Sequence, residues 1–358
     1  MNLKKKVWLS LVLSAALLTV AGCGQKAQNT NTAAGGTATP SAAPTAAAAT
    51  TPAAKTYKIA ISQIVEHPSL DATRQGFLAA LKEAGIVEGT NLKVSFNNAQ
   101  GDSANNLSIA QKIAAEENDL VLGIATPSAL AVVQQVKKSP ILFAAVTDPL
   151  AAKIVSSMDK PGGNVSGASD TNPEAITQLM DFIGSNFPKI KTVGLVINEG
   201  EPNAVIMAKK AEEGLTKRGI KLIKAPVTNT SEVKQAAESL VGRADAFYIT
   251  LDNTVVTGVD TILKLAKDKH IPFFSSDRDT VEKGAFATVG FKYYDHGYQV
   301  GQMAVEILKN GKKPADMKVT VPDKLDVILN LKAAADQGIE VTDAMKNAVK
   351  DKEKNIIK

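Results

Sequence analysis

From residue 57 onward, short apolar runs alternate with amphipathic stretches, and this alternation predicts an α/β fold. Residues 57–64 (YKIAISQI) read as a strand. A helix follows over 70–84, with Phe77, Leu78 and Leu81 on one face and Gly85 as its stop. Strands at 92–96, 120–125 and 141–146 then alternate with helices at 104–117 and 128–136. This order predicts a parallel sheet covered by helices on both faces. The pattern restarts with helix 174–187, strand 192–197, helix 204–217, strand 221–227, helix 231–240, strand 246–250, helix 255–268 and strand 272–275. A long helix over 293–309 and further strand within 318–331 close the series. The stretches 76–86 (GFLAALKEAGI) and 209–220 (KKAEEGLTKRGI) each follow a strand and a loop, and each ends in Gly-Ile before the next strand. Roughly 290 ordered residues exceed what one doubly wound domain needs. Two doubly wound α/β lobes with parallel sheets are therefore expected. Lobe 1 spans 57–171, lobe 2 spans 172–290, and 346–358 is a charged tail.

The N-terminal pattern is different. Lys4, Lys5 and Lys6 precede a nearly unbroken apolar run over 7–20, too short for a comfortable membrane span and suited to a signal peptide. Val20-Ala21-Gly22-Cys23 then matches a bacterial lipobox. Small residues let the peptidase grip the backbone, and the cysteine sulfur takes the diacylglycerol. The expectation is a signal peptide over 1–22 and a lipid anchor on Cys23. The protein would then sit outside the cytoplasm on the outer face of the cell membrane, or on the periplasmic side in a two-membrane bacterium. Residues 25–56 are Ala, Thr, Pro, Gly, Ser and Asn with few charges, so 23–56 reads as a lipidated disordered tether. Its r.m.s. span as a flexible coil is about 30 Å.

Composition narrows the function further. Cys23 is the only cysteine, so the folded part has neither disulfide nor thiol chemistry. The net charge of +5 includes the three leading lysines, and the remaining excess is dispersed. It gives no footprint for nucleic acid. Trp8 is the only tryptophan and leaves with the signal peptide.

In open α/β sheets, ligands bind beyond the carboxyl ends of the strands. Those exits are polar throughout. The first carries Gln63, Glu66, His67 and Asp71, with Leu70 among them. Others carry Thr126-Pro127-Ser128, Thr147-Asp148, Asn198 with Glu201 and Asn203, Asp252-Asn253, and Ser276-Asp277. Thr126 can cap a helix whose free N–H groups attract a carboxylate. Asp252 and Asp277 opposite could take an ammonium, an arrangement suited to an amino acid. Thr126, Asp148 and Asp252 can equally be N-caps alone. If Asp252 is a ligand contact, its replacement by alanine weakens binding and leaves stability nearly unchanged. An aromatic ligand would need a slot, for which Leu70, Phe143, Phe274 and Phe291 are candidates. Phe143 and Phe274 sit inside strands and suit core packing better.

Five stretches carry a family resemblance: 67–71 (HPSLD), 146–155 (VTDPLAAKIV), 161–170 (PGGNVSGASD), 198–203 (NEGEPN) and 251–253 (LDN). In this order they resemble the extracytoplasmic solute-binding proteins of ABC transporters often called tryptophan or tyrosine binding proteins. The similarity covers 57–338. It implies a type I periplasmic-binding fold, three crossovers between lobes and a ligand held in the cleft between them. It also implies that 291–317 returns to lobe 1 and 318–345 to lobe 2. The partners it implies are an amino-acid-like small molecule and an ABC permease in the cytoplasmic membrane.

An enzyme is disfavoured by the absence of Gly-x-Ser-x-Gly, Walker A, Gly-x-Gly-x-x-Gly and His-Glu-x-x-His motifs. Of the three histidines, His270 reads as structural, His296 can face solvent or cleft, and His67 reads as a ligand contact or loop packing. No metal or cofactor is expected. A repressor would need a DNA-binding helix-turn-helix where the signal peptide stands. The reading is a monomeric carrier for an importer, with a ligand-sensing receptor subunit, or a nucleoside- or sugar-like solute, as alternatives.

Overall fold

The structure, a computed structural model, describes residues 55–322 and 325–358. The expected signal peptide, Cys23 and all of the tether except Lys55 and Thr56 lie outside the described residues. Lobe 1 is built from β1 (Tyr57–Gln63), α1 (Pro68–Glu83), β2 (Leu92–Asn98), α2 (Ser103–Ala115), β3 (Leu120–Ile124), α3 (Thr126–Gln135), β4 (Ile141–Val146) and β5 (Val165–Ser169). Its strands are parallel, in the order β2-β1-β3-β4-β5. β3, β4 and β5 are buried along their whole length, as a sheet with helices on both faces requires.

Lobe 2 repeats the plan. It contains α4 (Pro173–Asn186), β6 (Thr192–Ile197), α5 (Pro202–Lys217), β7 (Lys221–Pro226), α6 (Val233–Leu240), β8 (Ala246–Ile249), α7 (Asn253–Thr257), α8 (Val259–Lys269), β9 (Phe273–Ser275), α9 (Arg278–Lys283) and β10 (Ala287–Gly290). The strands run β7-β6-β8-β9-β10, all parallel, which is the winding order of lobe 1. The predicted helix 255–268 is split at Gly258, where α7 ends and α8 begins.

Next, α10 (Tyr293–Asn310) returns to lobe 1 and packs along α1. Its approach is unusually close. A Cβ on Gly297 would collide with the Thr73 carbonyl, and Gly76 and Gly301 face backbone across the same seam. Finally β11 (Asp326–Asn330) joins lobe 2 antiparallel to β10. It is followed by α11 (Leu331–Asp336), α12 (Asp343–Asn347), α13 (Lys352–Asn355) and β12 (Ile356–Ile357), which pairs with β11.

Several elements differ from the sequence reading. β5, β10 and α9 are not in the predicted series. Each is six residues or shorter, and β5 and β10 are buried throughout, so no alternation marks them. Gly167 lets β5 lie against β4, since a Cβ there would strike the Phe143 backbone. Residues 318–320 stay with lobe 1: Thr320 N–H donates to the Gly167 carbonyl, and Val319 sits in the lobe 1 core. The segment 346–358 is charged but structured, and Val349 is buried in the lobe 2 core beside Met345.

Candidate functional site

The carboxyl ends of both sheets face one another, and a narrow cavity lies between them. Lobe 1 contributes His67, Ser69, Leu70, Ala145 and Thr147. Lobe 2 contributes Asn203, Leu251, Asn253, Val256 and Asp277, and the crossover segments add Asp170 and Tyr293. Among the described residues, two hydrogen bonds cross the cleft. His67 Nε2 meets Asn253 Oδ1 at 3.4 Å, and Ser69 Oγ donates to Asp277 Oδ1 at 3.2 Å. The lobes are therefore closed on each other.

One wall is a helix N-terminus. Pro68 occupies the first turn of α1, and His67 at the cap makes no side-chain capping bond. Among the described residues, the Ser69 and Leu70 amides meet no acceptor. With the helix dipole behind them, these amides suit a carboxylate. The other wall is acidic. Asp170 is buried, and its carboxylate accepts from Tyr293 Oη at 3.1 Å and Thr171 Oγ1 at 3.1 Å. Burial without a cation pushes its pKa up to about 6. No Lys or Arg lines the cavity among the described residues. His67 Nδ1 and Asn203 Oδ1 are buried without partners. Such atoms leave hydrogen-bonding capacity that an occupant of the cavity can use.

A second narrow cavity shares Asp170 and Leu251 with the first. Its other walls include Ile176, Leu179, Met207, Val289 and Phe291. A polar chamber thus abuts an apolar one across Asp170 and Leu251.

Residues 58–352 match the family described as ABC transporter substrate binding protein. The chain belongs to that family. It is the substrate-binding component of an ABC transporter and not an enzyme. It is 39% identical over 276 residues to the tyrosine-binding protein of Clostridioides difficile (strain R20291), covering 77% of this chain and 79% of that one. It resembles the ABC domain in complex with L-Trp from Streptococcus pneumonia, with a TM-score of 0.77, 32% identity, and coverage of 83% of this chain and 99% of that one. Against the ligand-free, open structure of CD0873, a substrate binding protein with adhesive properties from Clostridium difficile, identity is 38% but the TM-score is 0.61, over 84% and 98% of the two chains. The more identical relative superposes less well, in keeping with the closed lobes of this binding protein. Both sheets and their winding are those of a type I periplasmic-binding fold.

The structure divides the sequence-predicted contacts. His67, Leu70, Thr147, Asn203, Asn253 and Asp277 line the cavity. Gln63, Asp71, Thr126, Ser128, Asp148, Glu201 and Asp252 do not, and each has a local partner instead. Gln63 Nε2 donates to Asp71, which also pairs with Arg74. Thr126 is the first residue of α3, and Ala125, with φ of 72°, holds the cap position. The Thr126 hydroxyl accepts the Thr147 amide, and Ser128 donates to Asn106. Asp148 caps its own turn at Ala151. Glu201 accepts from the amides and side chains of Asn253 and Thr254, fastening two loops together. The uncapped helix start at the cavity is thus that of α1 rather than α3, and the buried carboxylate on the cavity wall is Asp170 rather than Asp252.

Asp252 caps α7 through Val255 N–H and also accepts Asn198 N–H at 2.6 Å. Burial and the neighbouring Glu201 carboxylate hold its pKa well above the usual range. Asp252→Ala is therefore expected to lose about 1–2 kcal/mol of stability in urea unfolding, through the lost cap. This reverses the sequence-based expectation of a pure binding defect, and unchanged stability would restore it.

Asp170, Tyr293, Ser69, Ala145, Leu251 and Val256 are the lining residues the sequence reading missed. For Asp170 a signal existed. It leaves β5, and the strand-exit rule reaches it once β5 is recognised. His296 is turned into lobe 1, where burial lowers its pKa to about 4 and Nε2 accepts the Ala145 amide at 3.0 Å. It holds Ala145, at φ of 55°, against the cavity. Phe143 and Phe274 are core residues, whereas Phe291 lines the apolar chamber. His270 ends α8 in the left-handed conformation.

Proposed function

We propose that this binding protein captures an aromatic L-α-amino acid between its lobes. The observation that carries the reading is the pairing inside one cavity of uncapped α1 amides with a buried carboxylate that lacks a cation. A zwitterion supplies both missing charges. Its carboxylate lies on the Ser69 and Leu70 amides, its ammonium on Asp170, and its ring in the apolar chamber beside Phe291. The named ligands of the relatives, tyrosine and L-Trp, support this assignment. A sugar or nucleoside has no ammonium to offer Asp170.

In this reading the chain is exported, cleaved before Cys23 and lipidated there, and the tether over 25–56 lets a monomeric binding domain reach an ABC permease. Ligand closes the lobes because only the closed form offers both walls at once. Titration calorimetry of the mature protein against amino acids tests the assignment. Heat is expected with L-tyrosine or L-tryptophan, and none with amines or acids lacking the other charge. With Trp8 removed by processing, bound L-tryptophan can also be followed by its own fluorescence. Binding of a sugar or nucleoside with no response to any amino acid would overturn the reading.

A further inference from the structure

Arg278 is a buried guanidinium in the first turn of α9. A cation there faces the positive end of its helix, so helix electrostatics do not keep it in place. Its partners do. Nε donates to Glu282 Oε1 at 2.6 Å, Nη1 to Asn355 Oδ1 at 2.6 Å, and Nη2 to the Lys354 carbonyl at 2.8 Å. Lys354 and Asn355 lie beyond residue 352, where the family match ends.

The turn that carries them is itself fastened. Asp326, at the start of β11, accepts the amides of Val327, Lys350 and Asp351 at 2.8 Å each. It also accepts Asn355 Nδ2 at 2.7 Å. β12 then pairs with β11. A hydrogen-bonded chain therefore runs from Asp326 through Asn355 to Arg278. The residue beside Arg278 is Asp277. Its Oδ1 accepts the Thr280 amide at 2.7 Å within lobe 2 and Ser69 Oγ from lobe 1.

We infer that Arg278 is a positioning residue for lobe closure: the C-terminal turn grips it, and it holds Asp277 where Ser69 reaches across the cleft. The inference rests on reading this cleft as the ligand site. Its substance is that the last turn of the chain, remote from the ligand, sets affinity through one buried arginine.

The test uses the mature protein carrying Arg278→Met, Arg278→Lys or Asn355→Ala, with Ser69→Ala alone and combined with Arg278→Met. Asn355→Ala keeps the test open if Arg278→Met fails to fold. In the ligand-free protein, hydrogen exchange at the Thr280 amide is expected to quicken in Arg278→Met and Asn355→Ala, while amides of β6 and β8 keep their rates. Affinity for L-tyrosine or L-tryptophan is expected to fall roughly fivefold or more in Arg278→Met. Arg278→Lys should fall between, since one ammonium cannot reproduce a three-way fork. The loss should be less than additive with that of Ser69→Ala, because both act through the same contact. Unchanged Thr280 exchange in the folded variants overturns the brace, whatever the ligand. So does wild-type affinity in Arg278→Met, or a loss fully additive with Ser69→Ala. A wild-type protein that binds neither amino acid overturns the ligand assignment instead, and the exchange rates then decide the brace alone.

Discussion

Asp170→Asn is expected to weaken L-tyrosine or L-tryptophan binding by roughly thirtyfold or more at neutral pH, while the ligand-free protein stays as stable as wild type or gains stability. The two halves have one cause. Asp170 is buried with hydroxyl partners and no cation, so ionising it is costly until an ammonium arrives. Truncating one side of a buried charge pair costs about 2–5 kcal/mol. In the ligand-free protein, asparagine removes a charge that burial disfavours.

The pH dependence follows from the same group. Its folded pKa of about 6 lies above the ordinary value of 3.8, so the folded state holds the proton more tightly than the unfolded chain. Ligand-free stability from this group is therefore greatest at low pH and declines as pH rises from about 4 to about 6. Affinity for an ammonium runs the opposite way. It rises through that window as the carboxylate ionises, and binding there releases a proton. Asp279 also titrates near 6, raised chiefly by burial, so the difference between wild type and Asp170→Asn isolates Asp170. Burial lowers the His67 pKa from its usual value, towards this window, and the same difference between wild type and variant separates Asp170 from it. Calorimetry in buffers of different ionisation enthalpy, and urea melts across the window, measure both slopes. Wild-type affinity in Asp170→Asn would remove Asp170 from the site.

Gly297→Ala is expected to cost about 3 kcal/mol or more. Its Cβ would meet the Thr73 carbonyl and Cα, which are α1 backbone and cannot swing aside. Either the helices part or α10 shifts along its axis. Both moves disturb Tyr293 and His296 on that helix, and with them Asp170 and Ala145 at the cavity. Thermal and urea unfolding would register the loss. A variant as stable as wild type would mean that α1 and α10 lie farther apart than described.

The chain itself carries much of this. Apolar periodicity marks the long helices and most of the strands, because each buries a face and so repeats at its own period. The strand-exit rule found His67, Asn203, Asn253 and Asp277, because in a parallel sheet those loops point into the cleft whatever the details. It also gathered Gln63, Ser128, Glu201 and Asp252, since polarity at an exit says nothing about which neighbour a side chain chooses. Those choices were local caps and loop braces.

Sequence alone determined the two-lobed α/β architecture, its internal repeat and the family to which it belongs. Periodicity and motif order are properties of the chain, and folding only has to satisfy them. Tertiary structure alone decided which helix end opens into the cavity, which carboxylate lacks a cation, and how α13 reaches Arg278. These depend on groups brought together across 77 residues in one case and 123 in the other. Asp170 meets Tyr293, and Arg278 meets Asn355, only once the chain has crossed between lobes and returned. Burial, which sets the charge state of Asp170, exists only when both lobes and the crossover close around it.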